Sequence, residues 1–397
     1  MKTLFISLFL SFFLISSCTN SADLIAEIEE INTKISKKYA PDKRVAIYKI
    51  DVAYKNESIY LSGETNKENA LKKLVDNLQN RQISIVNKVR ILPDSAVGKK
   101  IYAVAKNSVI NIRSKPKHSA ELGTQGLLGM SLKVFDKKGD FYRVQTPDNY
   151  ISWVDKGGIT LMTKEEFANW NQQQKIIYTQ NTGSVYRDAK TTSSAISDIV
   201  FGGLLILEEE SKNFYKVTFP DKRIGFVKKS EAVLYNYWLI NNPETPENIE
   251  NYAKRFLGFP YLWGGTSTKG VDCSGFTKTV YLMNGFVIPR DASQQILAGK
   301  TVDANLEFTG LQKGDLMFFG KKATEKTRQR VTHVGIWLGN GKGEFIHSSG
   351  RVHLSSINKE EKNYDAYNTN RYLGSKRYLG VTDDKIINLK ATKTIKN

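Results

Sequence analysis

Apolar residues recur at helical spacing over 23–38, where Leu24, Ile25, Ile28, Ile31 and Ile35 lie amid charge, and Pro41 closes the run. The pattern switches to alternation over 44–52 and 58–62, returns to helical spacing around 67–79, and alternates again over 82–92. Helix, strand, strand, helix and strand are therefore predicted in that order. From about residue 100 to 235 the chain is a series of short alternating stretches broken by Gly, Asp, Asn and Pro, which predicts small β-barrels. After Pro243 and Pro246 a helix is predicted over 247–256, with Ile249, Tyr252 and Phe256 on one side. Phe276, Val280 and Met283 mark a second helix that begins after Asp272 and stops at Asn284-Gly285. Residues 331–337 alternate as a strand, a Gly-Asn-Gly-Lys-Gly turn follows, and 344–347 begin the return strand.

The barrel region contains an internal repeat. Ile112-Arg113 matches Tyr186-Arg187 and Gly129 matches Gly203, both 74 residues apart. Phe141-Tyr142-Arg143-Val144 matches Phe214-Tyr215-Lys216-Val217 at a spacing of 73, as do Pro147 with Pro220 and Trp153-Val154 with Phe226-Val227. Where the first copy has Glu121 and Tyr150, the second has Ala195 and Arg223. The first copy thus carries an acid and a phenol that the shared scaffold does not require.

Composition changes this picture in three places. A chain of 397 residues with 40% hydrophobic content has room for about two to four domains. Its 58 Lys+Arg against 40 Asp+Glu give a formal charge of +18, which suits anionic partners such as lipid headgroups, wall polymers or nucleic acid, or serves solubility alone. Lys2, the apolar run 4–15 and the small residues before Cys18 read as an export signal over 1–17, which disfavours nucleic acid as a partner. The order Leu14-Ile15-Ser16-Ser17-Cys18 resembles the bacterial lipoprotein signal, in which the cysteine is lipidated and anchors the protein to a membrane; an ordinary secretory signal cut nearby is the alternative. If Cys18 carries lipid, Cys273, the other cysteine of the chain, has no internal disulfide partner.

Cys273 falls in the first turn of the predicted helix, with Asp272 as its N-cap. Amides and dipole at a helix start favour an anion, so the thiol is expected to be acidified and nucleophilic. A buried, inert thiol is the competing reading. The chain has four histidines, His118, His333, His347 and His353. His333 and His347 lie seven residues either side of Asn340, so a hairpin centred there sets them on one face. That supplies a base and a group to orient it. A zinc site is the alternative use of one thiol and two histidines, but no flanking Asp, Glu or Cys completes a ligand set.

Together the segments Tyr261-Leu262-Trp263-Gly264-Gly265, Asp272-Cys273-Ser274-Gly275, Leu311-Gln312-Lys313-Gly314-Asp315-Leu316, Thr332-His333-Val334-Gly335-Ile336 and Phe345-Ile346-His347 resemble the NlpC-type peptidases, in order, over about 247–350. The repeat resembles tandem bacterial SH3-type barrels, and the strand–strand–helix–strand stretch near the N-terminus resembles a BON-like module. The expected fold is multidomain α+β: an anchor and short helix at 18–40, a small α+β module at 41–96, SH3-like barrels at 98–162 and 163–236, and a papain-like NlpC-type domain at 240–380.

The resemblance implies that Cys273 is the nucleophile, His333 the general base and His347 its orienting partner, with Tyr261 and the Cys273 amide as oxyanion donors. It implies no cofactor and no metal. Tandem barrels before such a domain resemble the γ-D-glutamyl-L-diamino-acid endopeptidases, which release L-Ala-γ-D-Glu from murein peptides with a free L-Ala amine. On that resemblance Asp291 meets the amine, while Arg290, helped by Ser274 and the wall formed by Trp263, meets the carboxylate of D-Glu, and Asp272 counts among the substrate-binding residues. Glu121 and Tyr150 are expected to project from the first barrel and close the amine end; an exposed acid and a strand aromatic is the plainer alternative. An endopeptidase acting on intact peptidoglycan, with the barrels as wall-binding modules, and a non-catalytic wall-binding adaptor are the other readings.

Overall fold

The computed structural model describes residues 21–394; the leader and Cys18 lie outside the described residues. The chain divides into two units, Met1–Ile91 and Leu92–Asn397. In the first, α1 (Ser21–Tyr39) precedes a hairpin of β1 (Tyr48–Lys55) and β2 (Ser58–Thr65), then α2 (Glu68–Asn80) and β3 (Ile85–Ile91). Asn56 and Glu57, both at positive φ, make the tight hairpin turn, and α2 carries the chain over so that β3 runs parallel to β2. Ile28, Ile59, Leu61, Leu74 and Leu78 form its fully buried core.

The second unit opens with the duplication. Strands β4 (Tyr102–Ala105), β5 (Val109–Arg113), β6 (Leu122–Leu127), β7 (Ser131–Lys138), β8 (Phe141–Gln145), β9 (Ile151–Asp155) and β10 (Ile159–Met162) form a sheet in the order β10-β4-β7-β8-β9-β5-β6. Helix α3 (Lys164–Gln172), opened by a Thr163–Glu166 capping box, leads to the second copy. There β11 (Lys175–Tyr178), β12 (Thr182–Tyr186), β13 (Ala195–Val200), β14 (Leu204–Glu210), β15 (Phe214–Thr218), β16 (Ile224–Lys228) and β17 (Ala232–Leu234) take the matching order β17-β11-β14-β15-β16-β12-β13. The register irregularity at Val134/Asp136 recurs at Leu207/Glu209, and that at Ile112/Arg113 recurs at Val185/Tyr186.

These matches put the copies 73 residues apart throughout, which corrects the 74 read from the first half of the repeat. Ile112 is equivalent to Val185, Gly129 to Gly202 and Glu121 to Ser194. A slip of one residue would turn every side chain of a strand to the other face. Ile112 and Val185 are both fully buried, as the corrected spacing requires.

Helices α4 (Tyr235–Asn241) and α5 (Pro246–Lys254) lead into the last domain, where β18 (Thr266–Ser267) and β19 (Gly270–Val271) make a small hairpin before α6 (Cys273–Met283). Then come β20 (Phe286–Val287), α7 (Ala292–Gln295), β21 (Lys300–Thr301), β22 (Leu316–Lys321), β23 (Arg330–Trp337), β24 (Glu344–Ser349), β25 (Arg351–Ser356), α8 (Ala366–Asn370), β26 (Tyr372–Arg377), β27 (Ile387–Asn388) and α9 (Leu389–Thr394). The main sheet is antiparallel in the order β21-β26-β22-β23-β24-β25. Phe276, Val280 and Met283 are fully buried on α6, in one core with Phe318, Val334 and Ile346 of the sheet. The architecture is a papain-like α+β domain behind two SH3-like barrels.

Candidate active site

Asp272 sits in extended backbone and caps α6, its Oδ1 accepting from the amide of Gly275 at 2.7 Å and its Oδ2 from the amide of Gly264 at 2.9 Å. The strand–loop–helix crossing is tight: a Cβ on Gly275 would stand 1.9 Å from the carbonyl of Gly265. Cys273 therefore opens the helix at a fixed place, 8% exposed and unbonded to any other cysteine among the described residues. Its sulfur faces the backbone amides of Val334 and Ser274.

The charge state differs from the expectation. Burial pushes the Cys273 thiol up to about 12, and Asp272 adds to the effect; Arg290 and the two amides offset only part of it. Burial likewise lowers His333 to about 3, with Arg371 and His353 contributing, and lowers His347 well below the usual imidazole value. The resting thiol and imidazole are thus both neutral. The helix start does not outweigh the burial of the thiol.

The two histidines meet as expected, by a different register. β23 pairs with β24 through Ile336↔Ile346 and Trp337↔Phe345, and Leu338 donates to Glu344, so the hairpin is centred on Gly341 rather than Asn340. The displacement leaves the side-chain faces unchanged and makes His333 and His347 diagonal neighbours. His333 Nε2 lies 2.7 Å from His347 Nδ1, and His347 Nε2 lies 3.0 Å from Ser355 Oγ on β25. One consistent proton assignment runs through this chain: His333 Nε2–H donates to His347, and His347 Nε2–H donates to Ser355. It leaves His333 Nδ1 as an acceptor, on the strand whose Val334 amide faces the Cys273 sulfur. Ring nitrogens bonded to each other do not converge on a metal, and no His/Cys/Asp/Glu cluster suited to one occurs among the described residues.

Arg290 requires a correction. It is 2% exposed and committed to Asp272 at 2.6 and 3.2 Å and to Ser274 Oγ at 2.9 Å, which leaves only Nε without a protein hydrogen-bond partner, itself buried. Asp272, Ser274 and Arg290 form a buried hydrogen-bonded network, so the Arg290 guanidinium is engaged within the protein and not presented to a ligand carboxylate. Burial opposes the guanidinium charge, but Asp272 outweighs it and holds Arg290 above its usual value. Asp291 caps α7 with its carboxylate 3.8 Å from Arg290 and its side chain 29% exposed. Tyr261 bridges to Val271 beside the thiol, and its hydroxyl is raised by burial, then by Cys273 and Asp272.

The first barrel forms one side of the cleft. Trp263, 62% exposed, donates from Nε1 to Glu121 Oε1 at 2.7 Å. Tyr150 stands over Gly123 of β6, where a Cβ would come within 3.1 Å of its hydroxyl, and its phenol acts electrostatically on Arg290. Gly264, at φ +81°, packs on the carbonyl of Leu122, and Thr266 exchanges hydrogen bonds with the backbone and side chain of Gln125. Sequence reading missed Gln125, Ser355, and a buried ion pair between Lys278 of α6 and Asp148 of the β8–β9 turn, 2.6 Å apart. A lysine inside the apolar run 276–283 was the available signal for the last.

A thiol at a helix start, set beside a histidine pair on an antiparallel sheet, defines a papain-like cysteine peptidase. The NlpC/P60 family model matches residues 258–377, and that of the bacterial dipeptidyl-peptidase Sh3 domain matches residues 112–159. A gamma-D-glutamyl-L-lysine dipeptidyl-peptidase of Bacillus cereus is 34% identical over 269 residues, covering 65% of this chain and 76% of its own. One of the same name from Bacillus subtilis is 32% identical over 57% of this chain and 71% of its own. A solved NlpC/P60 family protein from Bacillus cereus superposes with a TM-score of 0.59 at 27% identity, over 70% of this chain and 99% of its own. The chain belongs to the NlpC/P60 family of cysteine peptidases.

Proposed function

We propose that the protein hydrolyses the bond between γ-D-Glu and the L-diamino acid of murein peptides whose N-terminal L-Ala amine is free, releasing L-Ala-γ-D-Glu. The Trp263–Glu121 contact carries this reading, because it sets a carboxylate of the first barrel against the Trp263 loop of the peptidase domain. A carboxylate so placed suits a short peptide ending in an ammonium better than a continuous glycan-linked strand. The relatives named for cleavage after γ-D-glutamate share both the barrel and the peptidase segments.

In this reading the Cys273 sulfur attacks the scissile carbonyl while its proton passes to His333 Nδ1, and His347, held by Ser355, keeps the imidazole in the correct tautomer. The neutral resting pair makes His333 a general base acting during attack. Tyr261 and the Cys273 amide receive the oxyanion. His333 then returns the proton to the departing diamino-acid amine, and water cleaves the thioester to regenerate the thiol. Glu121, Tyr150 and Asp291 receive the L-Ala ammonium. Export and anchoring through Cys18, proposed from the leader, place this chemistry in the cell envelope.

Purified enzyme given L-Ala-γ-D-Glu-L-Lys, its N-acetylated form and intact sacculi tests the reading. Fast cleavage of the free-amine peptide is expected, with only slow turnover of its N-acetylated form and no release from sacculi; release from sacculi at a comparable rate makes the protein a wall-remodelling endopeptidase instead. Cys273→Ala retaining cleavage would refute the assignment of Cys273 as the nucleophile. Glu121→Gln keeps the bond to Trp263 and removes the charge, so a loss of about tenfold to hundredfold in kcat/KM on the free-amine peptide is expected. Unchanged turnover sinks the amine assignment.

A further inference from the structure

Lys278 and Asp148 are used by none of these steps. Their side chains are 11% and 3% exposed, and Lys278 Nζ also lies 3.5 Å from the carbonyl of Ile288. Burial pulls the lysine down and Asp148 opposes that, while Arg290 and Asp291 also act on it. A buried ion pair adds little net stability over apolar residues of the same size, and its best-attested use is to fix a register.

The neighbouring structure shows which register. Asp148 lies in a closed turn: Thr146 donates through Oγ1 to Asp148 Oδ1 at 2.6 Å, and its amide donates to the carbonyl of Tyr150 at 3.0 Å. Thr146 thus holds one carboxylate oxygen and Lys278 the other, two residues before Tyr150. Lys278 lies on the helix that begins with Cys273. Around the pair the two domains do not close-pack: a cavity of about 250 Å³ separates Leu127 and Met130 of the first barrel from Leu282 and Phe286 of the peptidase domain. The Gln125–Thr266 hydrogen bonds and the packing of Gly264 on Leu122 fix β6 to the peptidase domain, whereas beside this cavity the ion pair is the direct link between α6 and the β8–β9 turn.

We propose that Lys278 and Asp148 are positioning residues for substrate selection, a tie that sets the span from the Cys273 sulfur to Tyr150 to one dipeptide with a free amine. This rests on the assignment of Glu121 and Tyr150 to the amine. The test is the full chain with Lys278→Met and Asp148→Leu together, which removes both charges and keeps apolar bulk. kcat and KM are measured on L-Ala-γ-D-Glu-L-Lys and its N-acetylated form, with the rate of Cys273 alkylation alongside. A rise in KM for the free-amine peptide of about tenfold to hundredfold is expected, as for a displaced contact group. Slow turnover of the acetylated peptide and alkylation should stay within about twofold, a split that general loosening of the fold would not give. A folded double variant with undiminished selectivity overturns the proposal. If wild type itself does not discriminate, the amine assignment falls, and the tie with it. If the double variant does not fold, Asp148→Glu decides, since it keeps both charges and lengthens the arm by one methylene: lost selectivity supports the tie and retained selectivity overturns it.

Discussion

Asp272→Asn should make Cys273 more reactive and the enzyme less active. The wild-type carboxylate does two things: it accepts from Gly264, Gly275 and Arg290, and it helps hold the thiol up at about 12. At that value roughly one thiol in thirty thousand is ionised at pH 7.5, about a thousandfold fewer than for an unperturbed thiol. A unit charge some ~6 Å away at an effective dielectric constant of ~20 is worth about 3 kcal/mol, or about two pH units of thiol ionisation. Asparagine removes that charge and leaves the Arg290 guanidinium, which favours thiolate, in place. Alkylation of Cys273 by iodoacetamide at pH 7.5 should therefore rise about a hundredfold. Peptide hydrolysis should fall, because the amide nitrogen of asparagine cannot accept the hydrogen bonds that hold the helix start. With side chains 7% and 2% exposed, the broken pair should also cost about 3–5 kcal/mol in urea unfolding. A folded Asp272→Asn protein that alkylates no faster than wild type refutes the reasoning, because Asp272 would then not be suppressing the thiolate.

Two further outcomes follow from the same geometry. His333 and His347 are both held below the ordinary value of 6.5, so the unfolded chain binds protons that the native state refuses, and stability present above pH 6.5 is lost as pH falls. By pH 5.5 the two together should have removed about 3 kcal/mol from the unfolding free energy, with His347→Asn roughly halving the loss; a flat profile over this window counts against a neutral pair. Gly264→Ala must place a Cβ 2.2 Å from the Leu122 carbonyl at φ +81°, so it should destabilise the chain by about 2–4 kcal/mol and depress free-amine turnover. Unchanged melting and kinetics would show that the barrel does not bear on the Trp263 loop.

Much of this was legible because its signals are local. Phe276, Val280 and Met283 define a helix without any knowledge of the sheet, and Asp272 before Cys273 is a cap on sight. The histidine pair could be read as sharing a face because alternation has a period of two, and an error of two in the pairing leaves the faces unchanged. The one-residue error in the repeat arose where the second copy offers Arg187 beside Tyr186 as a match for Arg113, and Gly203 beside Gly202 as a match for Gly129. What escaped depends on packing between distant segments. Arg290 looked available to a substrate until Asp272 and Ser274 were found to occupy it, and the thiol looked acidic until its burial was known. Lys278 and Asp148 are 130 residues apart, and no pattern along the chain joins them.

The constant spacing between the barrels has a practical consequence. Tyr150, beside the cleft, has Arg223 as its counterpart in the second copy, where the guanidinium lies over Phe219 and donates to the carbonyl of Lys106 at 3.0 Å, joining one barrel to the other. The same socket on twin scaffolds thus holds a tool in one copy and a fastener in the other. Both sockets close by the same turn, the amides of Thr146 and Phe219 donating to the carbonyls of Tyr150 and Arg223 at 3.0 and 2.9 Å, so the second barrel is a ready-made blank: a turn segment exchanged between the twins would keep its register and change only the side chain it presents.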